Sequence, residues 1–129
     1  MSGYSVNIEQ RSLENNYFRE VLYTAPHSQL VVMTLQVGED IGQETHDDHD
    51  QFIRVEAGQA EAILDGERHA LSDGSALVIP AGTAHNVFNT SPDTPLRLYT
   101  IYSPPEHPDG TINRTKQDAI EYDRQRHGS

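Results

Sequence analysis

Short runs of alternating apolar and polar residues, each closed by a turn signal, recur along most of the chain. Phe18 to Ala25 alternates and stops at Pro26, and Gln29 to Val37 follows as its hairpin partner. Gln51 to Glu56 turns at Ala57-Gly58 into Ala60 to Leu64. Asp65-Gly66 predicts a two-residue type I′ turn, since both turn positions need positive φ, which Asp tolerates and Gly adopts freely. The return run, Glu67 to Leu71, is short and polar and so exposed on one side. Ser75 to Ile79 is apolar with β-branched members and ends at Pro80, which has no backbone donor for a ladder. His85 to Phe88 comes back, and the two-residue period puts His85, Val87 and Asn89 on one face. A loop over 90–95 leads into Leu96 to Tyr102, which Pro104-Pro105 ends. Helical periodicity is absent before the tail. The pattern predicts an all-β fold, a sandwich or barrel of short strands.

The ends read differently from the middle. The chain divides into an N-terminal arm (1–16), a barrel (17–103) and a C-terminal extension (104–129). In the extension, Thr115-x-x-Asp118 can cap a short helix from Lys116 to about Arg126, with Ala119, Ile120 and Tyr122 as its few apolar contacts. So little apolar area makes a surface tail the plainer reading. The functional alternative is that Ser103 to Thr111, which contains His107, folds over the mouth of the barrel as a lid.

Composition narrows the partners. The 129 residues make one domain, and a formal net charge of −11 argues against nucleic acid and against anionic membrane surfaces as partners. With no cysteine, disulfides, thiolate metal sites and cysteine nucleophiles are excluded. The first twenty residues lack the basic start and apolar core of a signal peptide, and no apolar run approaches spanning length, which points to a soluble cytoplasmic protein. The glycosylation-like triplets at Asn89 and Asn113 then read as chance matches.

The spacing Gly74-x5-Pro80-x-Gly82-x2-His85-x3-Asn89 resembles the second cupin motif at every fixed position. The first motif is altered. Residues 38 to 58, GEDIGQETHDDHDQFIRVEAG, keep its frame, with Gly38 opening and Gly58 closing. Counting back from Gly58, Gln51 falls where the family has glutamate, His46 matches the second histidine, and Glu44 stands in place of the first. The resemblance implies a cupin-type jelly-roll barrel with a possible short C-terminal helix, a small single-domain bacterial cupin, and a metal site built from Glu44, His46, Gln51 and His85. It also implies a homodimer paired through the edge strand Phe18 to Ala25.

Two histidines and one carboxylate are a set that holds non-haem iron(II) with open positions, and the oxygen donors of Glu44 and Gln51 favour iron or manganese, with zinc or nickel also accommodated. Each residue has a plainer reading. Glu44 can be a solvated loop carboxylate, and Gln51 an inward amide bonded to His46 or His85. His49 is the rival ligand, for Glu44 or for Gln51; in a strand its spacing from His46 gives opposite faces, so it reads as a loop histidine. His27, His69, His107 and His127 read as surface or turn histidines. Tyr99 and Tyr102 lie on opposite faces of their strand, and Arg54, opposite Gln51, can pair with Glu56. The function implied is a divalent-metal protein acting on a small-molecule substrate, dioxygenase-like. Its alternatives are a non-catalytic metal or small-molecule binder, and a sugar isomerase or epimerase. A metal-free epimerase would need His46 or His85 as base and Tyr99 as acid.

Overall fold

Residues 2–126 are described by a computed structural model. Strands β1 (Arg19–Thr24), β2 (Gln29–Leu35), β3 (Asp50–Ala57), β4 (Gln59–Leu64), β5 (Glu67–Ser72), β6 (Ala76–Ile79), β7 (His85–Asn89) and β8 (Leu96–Ser103) fall on the runs expected from alternation. They form two antiparallel sheets, ordered β6-β3-β8-β2-β1 with a short β9 (Ile112–Asn113) at the edge, and β5-β4-β7. Asp65 and Gly66 both have positive φ, 48° and 83°, as the type I′ turn requires, and Leu64 pairs with Glu67 across it.

Period-two alternation decides what fills the barrel. On β3, Gln51, Ile53 and Val55 are buried, while Phe52 and Arg54 face outward and Arg54 Nε reaches Glu56 Oε1 at 3.2 Å. Val31, Met33 and Leu35 of β2 and Leu96 and Leu98 of β8 meet Ala62 and Val87 of the small sheet in one core. Truncating such a residue, Leu98→Ala for example, removes roughly 2–5 kcal/mol. The small sheet is widened by residues 39–46, which run along β7: Ile41 N–H donates to Val87 O (2.9 Å), and Glu44 and His85 exchange both backbone bonds (2.9 and 2.8 Å).

The ends depart from expectation in three places. Helix α1 (Ile8–Glu14) lies in the arm, where no helix was expected; only Ser12 is buried in it, so it has no apolar period, and its cap is the bond from Gln10 N–H to Asn7 Oδ1 (3.0 Å). Strand β1, expected as an exposed edge, has its outer side partly taken: β9 pairs with Arg19 and Glu20, and Val21 N–H donates to Thr111 O. The extension is no loose tail either. Helix α2 (Lys116–Arg126) forms where expected, with Thr115 Oγ1 accepting from Asp118 N–H, and it docks through buried Ala119, a Lys116–Asp40 ion pair and Asp123 near Arg19. His127 lies outside the described residues. Both glycosylation-like asparagines are buried and bonded, Asn89 to the Leu35 and Thr94 carbonyls and Asn113 to Arg19, which agrees with chance matches.

Gly58, the closing glycine of the first motif, is required twice over. Its φ is +109°, and a Cβ there would sit 2.8 Å from the Pro95 carbonyl oxygen. Gly66 also has positive φ but open space around it. Gly58→Ala is therefore expected to cost roughly 2–3 kcal/mol and Gly66→Ala about 1 kcal/mol. Urea unfolding of the two variants compares them, and equal losses would contradict the close approach.

Candidate metal centre

Three segments converge on one end of the barrel. Glu44 and His46 come from the stretch beside β7, Gln51 from the start of β3 in the opposite sheet, and His85 from the start of β7. His85 is 2% exposed and Gln51 3%. The backbone N–H of Gly82 donates to His46 O (2.7 Å), which ties the turn of the second motif to the first. The His46 ring lies 5.3 Å from that of His85 and edge-on to Tyr102. Ligand atoms of Glu44, His46 and His85 fall within 4.8 Å of one another.

The hydrogen bonds set which atoms face inward. His85 Nδ1 lies 2.9 Å from the Thr83 carbonyl oxygen, which can only accept, so Nδ1 carries the proton. In the neutral ring Nε2 is then a bare lone pair, and it is buried with no hydrogen-bond partner. Gln51 Nε2 donates to Thr100 Oγ1 (3.0 Å), leaving its buried Oε1 likewise without a partner, and His46 Nε2 is a third such atom. An unsatisfied buried polar group costs about 1–3 kcal/mol. The two on His46 and His85, gathered with a carboxylate oxygen of Glu44, fit a divalent cation, which takes nitrogen and oxygen lone pairs together.

Burial also sets the charges. Glu44 keeps 31% of its side-chain exposure, but burial pushes its carboxyl up to about 7, with nearby Arg19 opposing and Glu106 and Asp123 adding to the rise. Burial pushes His46 down to about 4, helped by His49 and His85. Tyr102 is raised well above its ordinary value, mainly by burial, so its hydroxyl keeps its proton.

Several residues sit elsewhere than expected. His49 is a loop histidine as expected, but a buried one: the bend at Asp47-Asp48 turns it to the same side as His46, and the two rings stack at 4.4 Å. His107 is buried, edge-on to Tyr102 at 5.2 Å, rather than on the surface. His27 is exposed, and His69 pairs with Glu67 at 3.3 Å away from the site. Tyr99 packs on the outer face against Phe52, which removes it as an acid opposite His46 or His85; Tyr102 is the tyrosine that lines the interior. Two residues went unnoticed in the sequence. Arg19 is a buried guanidinium bonded to Asn113 Oδ1, and its spacing of two from buried Val21 was the available signal. Glu106, 3.5 Å from His46 Nδ1, follows a double proline in a segment without periodicity, where no signal exists.

Two antiparallel sheets closed into a jelly roll around a histidine-lined interior define a small single-domain β-barrel. The chain belongs to the Cupin domain family, whose model matches residues 31–102. It is 46% identical over 123 residues to the uncharacterized protein YrkC of Bacillus subtilis, covering 91% of this chain and 66% of YrkC. It is 48% identical over 113 residues to the uncharacterized protein L612 of Acanthamoeba polyphaga mimivirus, covering 85% of this chain and 71% of that protein. The crystal structure of BH2720 from Bacillus halodurans is similar at 44% identity with a TM-score of 0.89, covering 92% of this chain and 93% of that one. No helix among the described residues is long and apolar enough to cross a membrane.

The two shifts act on metal-free stability in different pH windows. His46, lowered from 6.5 to about 4, favours the folded chain above 6.5, and that contribution is lost as pH falls through 4. Glu44, raised from 4.5 to about 7, favours it below 4.5, and that contribution is lost as pH rises through 7. Metal-free Glu44→Gln should therefore melt higher than the parent at about pH 8, the gap closing as pH falls below 4.5. Equal melting temperatures at about pH 8 would contradict the upward shift of this partly buried carboxyl.

Proposed function

We propose that the protein holds a divalent cation on Glu44, His46, Gln51 and His85 and acts there on a small molecule, with dioxygenase-like chemistry as the leading reading. The observation that carries the metal is the His85 ring, locked by the Thr83 carbonyl with its Nε2 lone pair buried and unpartnered. Two histidines and a carboxylate suit iron(II) or manganese, and the oxygen of Gln51 strengthens that preference. The bound ion would supply open coordination positions and, as iron(II), electron transfer to dioxygen.

The chain's own residues do the rest. Thr83 and Thr100 orient His85 and Gln51. Tyr102, His107 and the segment 103–111 keep water from the imidazoles, which strengthens every charge interaction inside. Glu44, its carboxyl pushed up to about 7 by burial, would hold the cation in its charged form, so binding would release a proton below that pH. The burial of His49, Gln51 and His85 also supports the second reading, a protein that stores or senses the ion without turnover. A homodimer stays part of the proposal; its contact falls outside the part of β1 that β9 already pairs.

Adding manganese(II) anaerobically to the metal-free protein is expected to stabilise it by about 2.7 kcal/mol when free ion is about 100-fold above Kd. His46→Ala should abolish the rise in melting temperature. An unchanged melting temperature across several divalent ions would overturn the metal reading. Iron in protein purified without chelator or histidine tag supports oxygen chemistry, and zinc or no metal supports the binding reading.

A further inference from the structure

Beyond β8 the chain brings a second carboxylate to the other side of His46. Gln29, 1% exposed on β2, holds that segment: its Oε1 accepts from the backbone N–H of Glu106 (3.3 Å) and of His107 (3.0 Å), while its Nε2 donates to the His107 carbonyl (2.7 Å) and to Thr24 Oγ1 (2.9 Å). The backbone on either side of the Glu106 side chain is thus fixed. Its carboxylate oxygens lie 3.5 Å from His46 Nδ1 and 3.8 Å from His49 Nε2. His49 is set up as His85 is: Nδ1 lies 3.0 Å from Asp48 Oδ1, an acceptor, and Nε2 is buried with no hydrogen-bond partner. In the neutral ring that Nε2 is a lone pair facing a carboxylate oxygen. Acceptor faces acceptor, too far apart for a hydrogen bond and at a separation that a cation between them can bridge.

We propose that His46, His49 and Glu106 form a second seat for a divalent cation, alternative to the one on Glu44, His46, Gln51 and His85. The inference rests on the metal reading above. A single ring serves both seats, since His46 turns Nε2 toward Glu44 (3.8 Å) and Nδ1 toward Glu106 (3.5 Å). A neutral imidazole has one lone pair, so the ring ligates on one side and donates its N–H to the carboxylate on the other. Glu44 and Glu106 exchange the parts of ligand and proton acceptor, and each chain holds one ion at a time. The second seat has two imidazoles and one carboxylate without the amide oxygen that Gln51 adds to the first, so relative to the first its preference moves from manganese and iron(II) toward zinc or cobalt(II). An ion in the second seat ties the segment after β8 to the stretch that carries His46 and His49.

The test is a titration of metal-free protein with cobalt(II), followed by visible absorption and by bound metal per chain. The parent should take up one ion. His85→Ala, which breaks the first seat, should still take up one, about 10- to 100-fold more weakly and with a changed spectrum. Adding His49→Ala to it should abolish uptake. Circular dichroism checks that the variants fold, and Glu44→Gln breaks the first seat by a second route if His85→Ala does not fold. A parent that binds cobalt while both first-seat variants bind none overturns the second seat and leaves the first standing, as does equal binding with and without His49. A folded parent that takes up no cobalt overturns both.

Discussion

The bond from His85 Nδ1–H to the Thr83 carbonyl is the constraint on which the rest of the site depends. It fixes the tautomer, and with it the direction of the lone pair, before any ligand arrives. The carbonyl is in turn placed by the turn over 80–84, where Thr83 N–H reaches Pro80 O and Gly82 N–H reaches His46 O. Because Glu44 and His85 also exchange both backbone bonds, the two motifs are joined through main chain. Main-chain bonds do not relax as side chains do, so the donors are preorganised and the cost of gathering them is met in folding.

Electrostatics explains why such an interior is tolerated. His46 is held neutral because burial disfavours its cation, while Arg19 offsets part of the charge of Glu44. The chain as a whole carries −11, a field that draws cations and disfavours free anions in bulk. Buried acceptor atoms without a hydrogen-bond partner, such as His85 Nε2 and Gln51 Oε1, cost about 1–3 kcal/mol each, a cost that ligation would remove.

The barrel was legible because its strands alternate and its turns carry Gly, Pro and Asp-Gly where the backbone needs them; even the Thr115 cap marked α2. Helix α1 and β9 were not, since a seven-residue helix burying only Ser12 and a two-residue strand leave no periodic trace. Glu44, His46, Gln51 and His85 could be placed by counting along two motifs, and the structure brings Glu44, His46 and His85 together with Gln51 buried and inward on β3. His49 was read as a loop histidine and is one, but the bend at Asp47-Asp48 turns it inward onto His46, which no spacing within a loop records. Glu106 and His107 reach the interior through contacts with Gln29, 77 and 78 residues away in sequence, which no local pattern records.

The most direct measurement is anomalous diffraction from crystals grown with manganese(II), which locates the ion without reference to activity. The account predicts one peak per chain in contact with His46, at about 2 Å from a ring nitrogen, with either His85 Nε2 or the Glu106 carboxylate completing the contact. A barrel with no peak at His46, its His85 Nε2 bonded instead to a protein group, would contradict it.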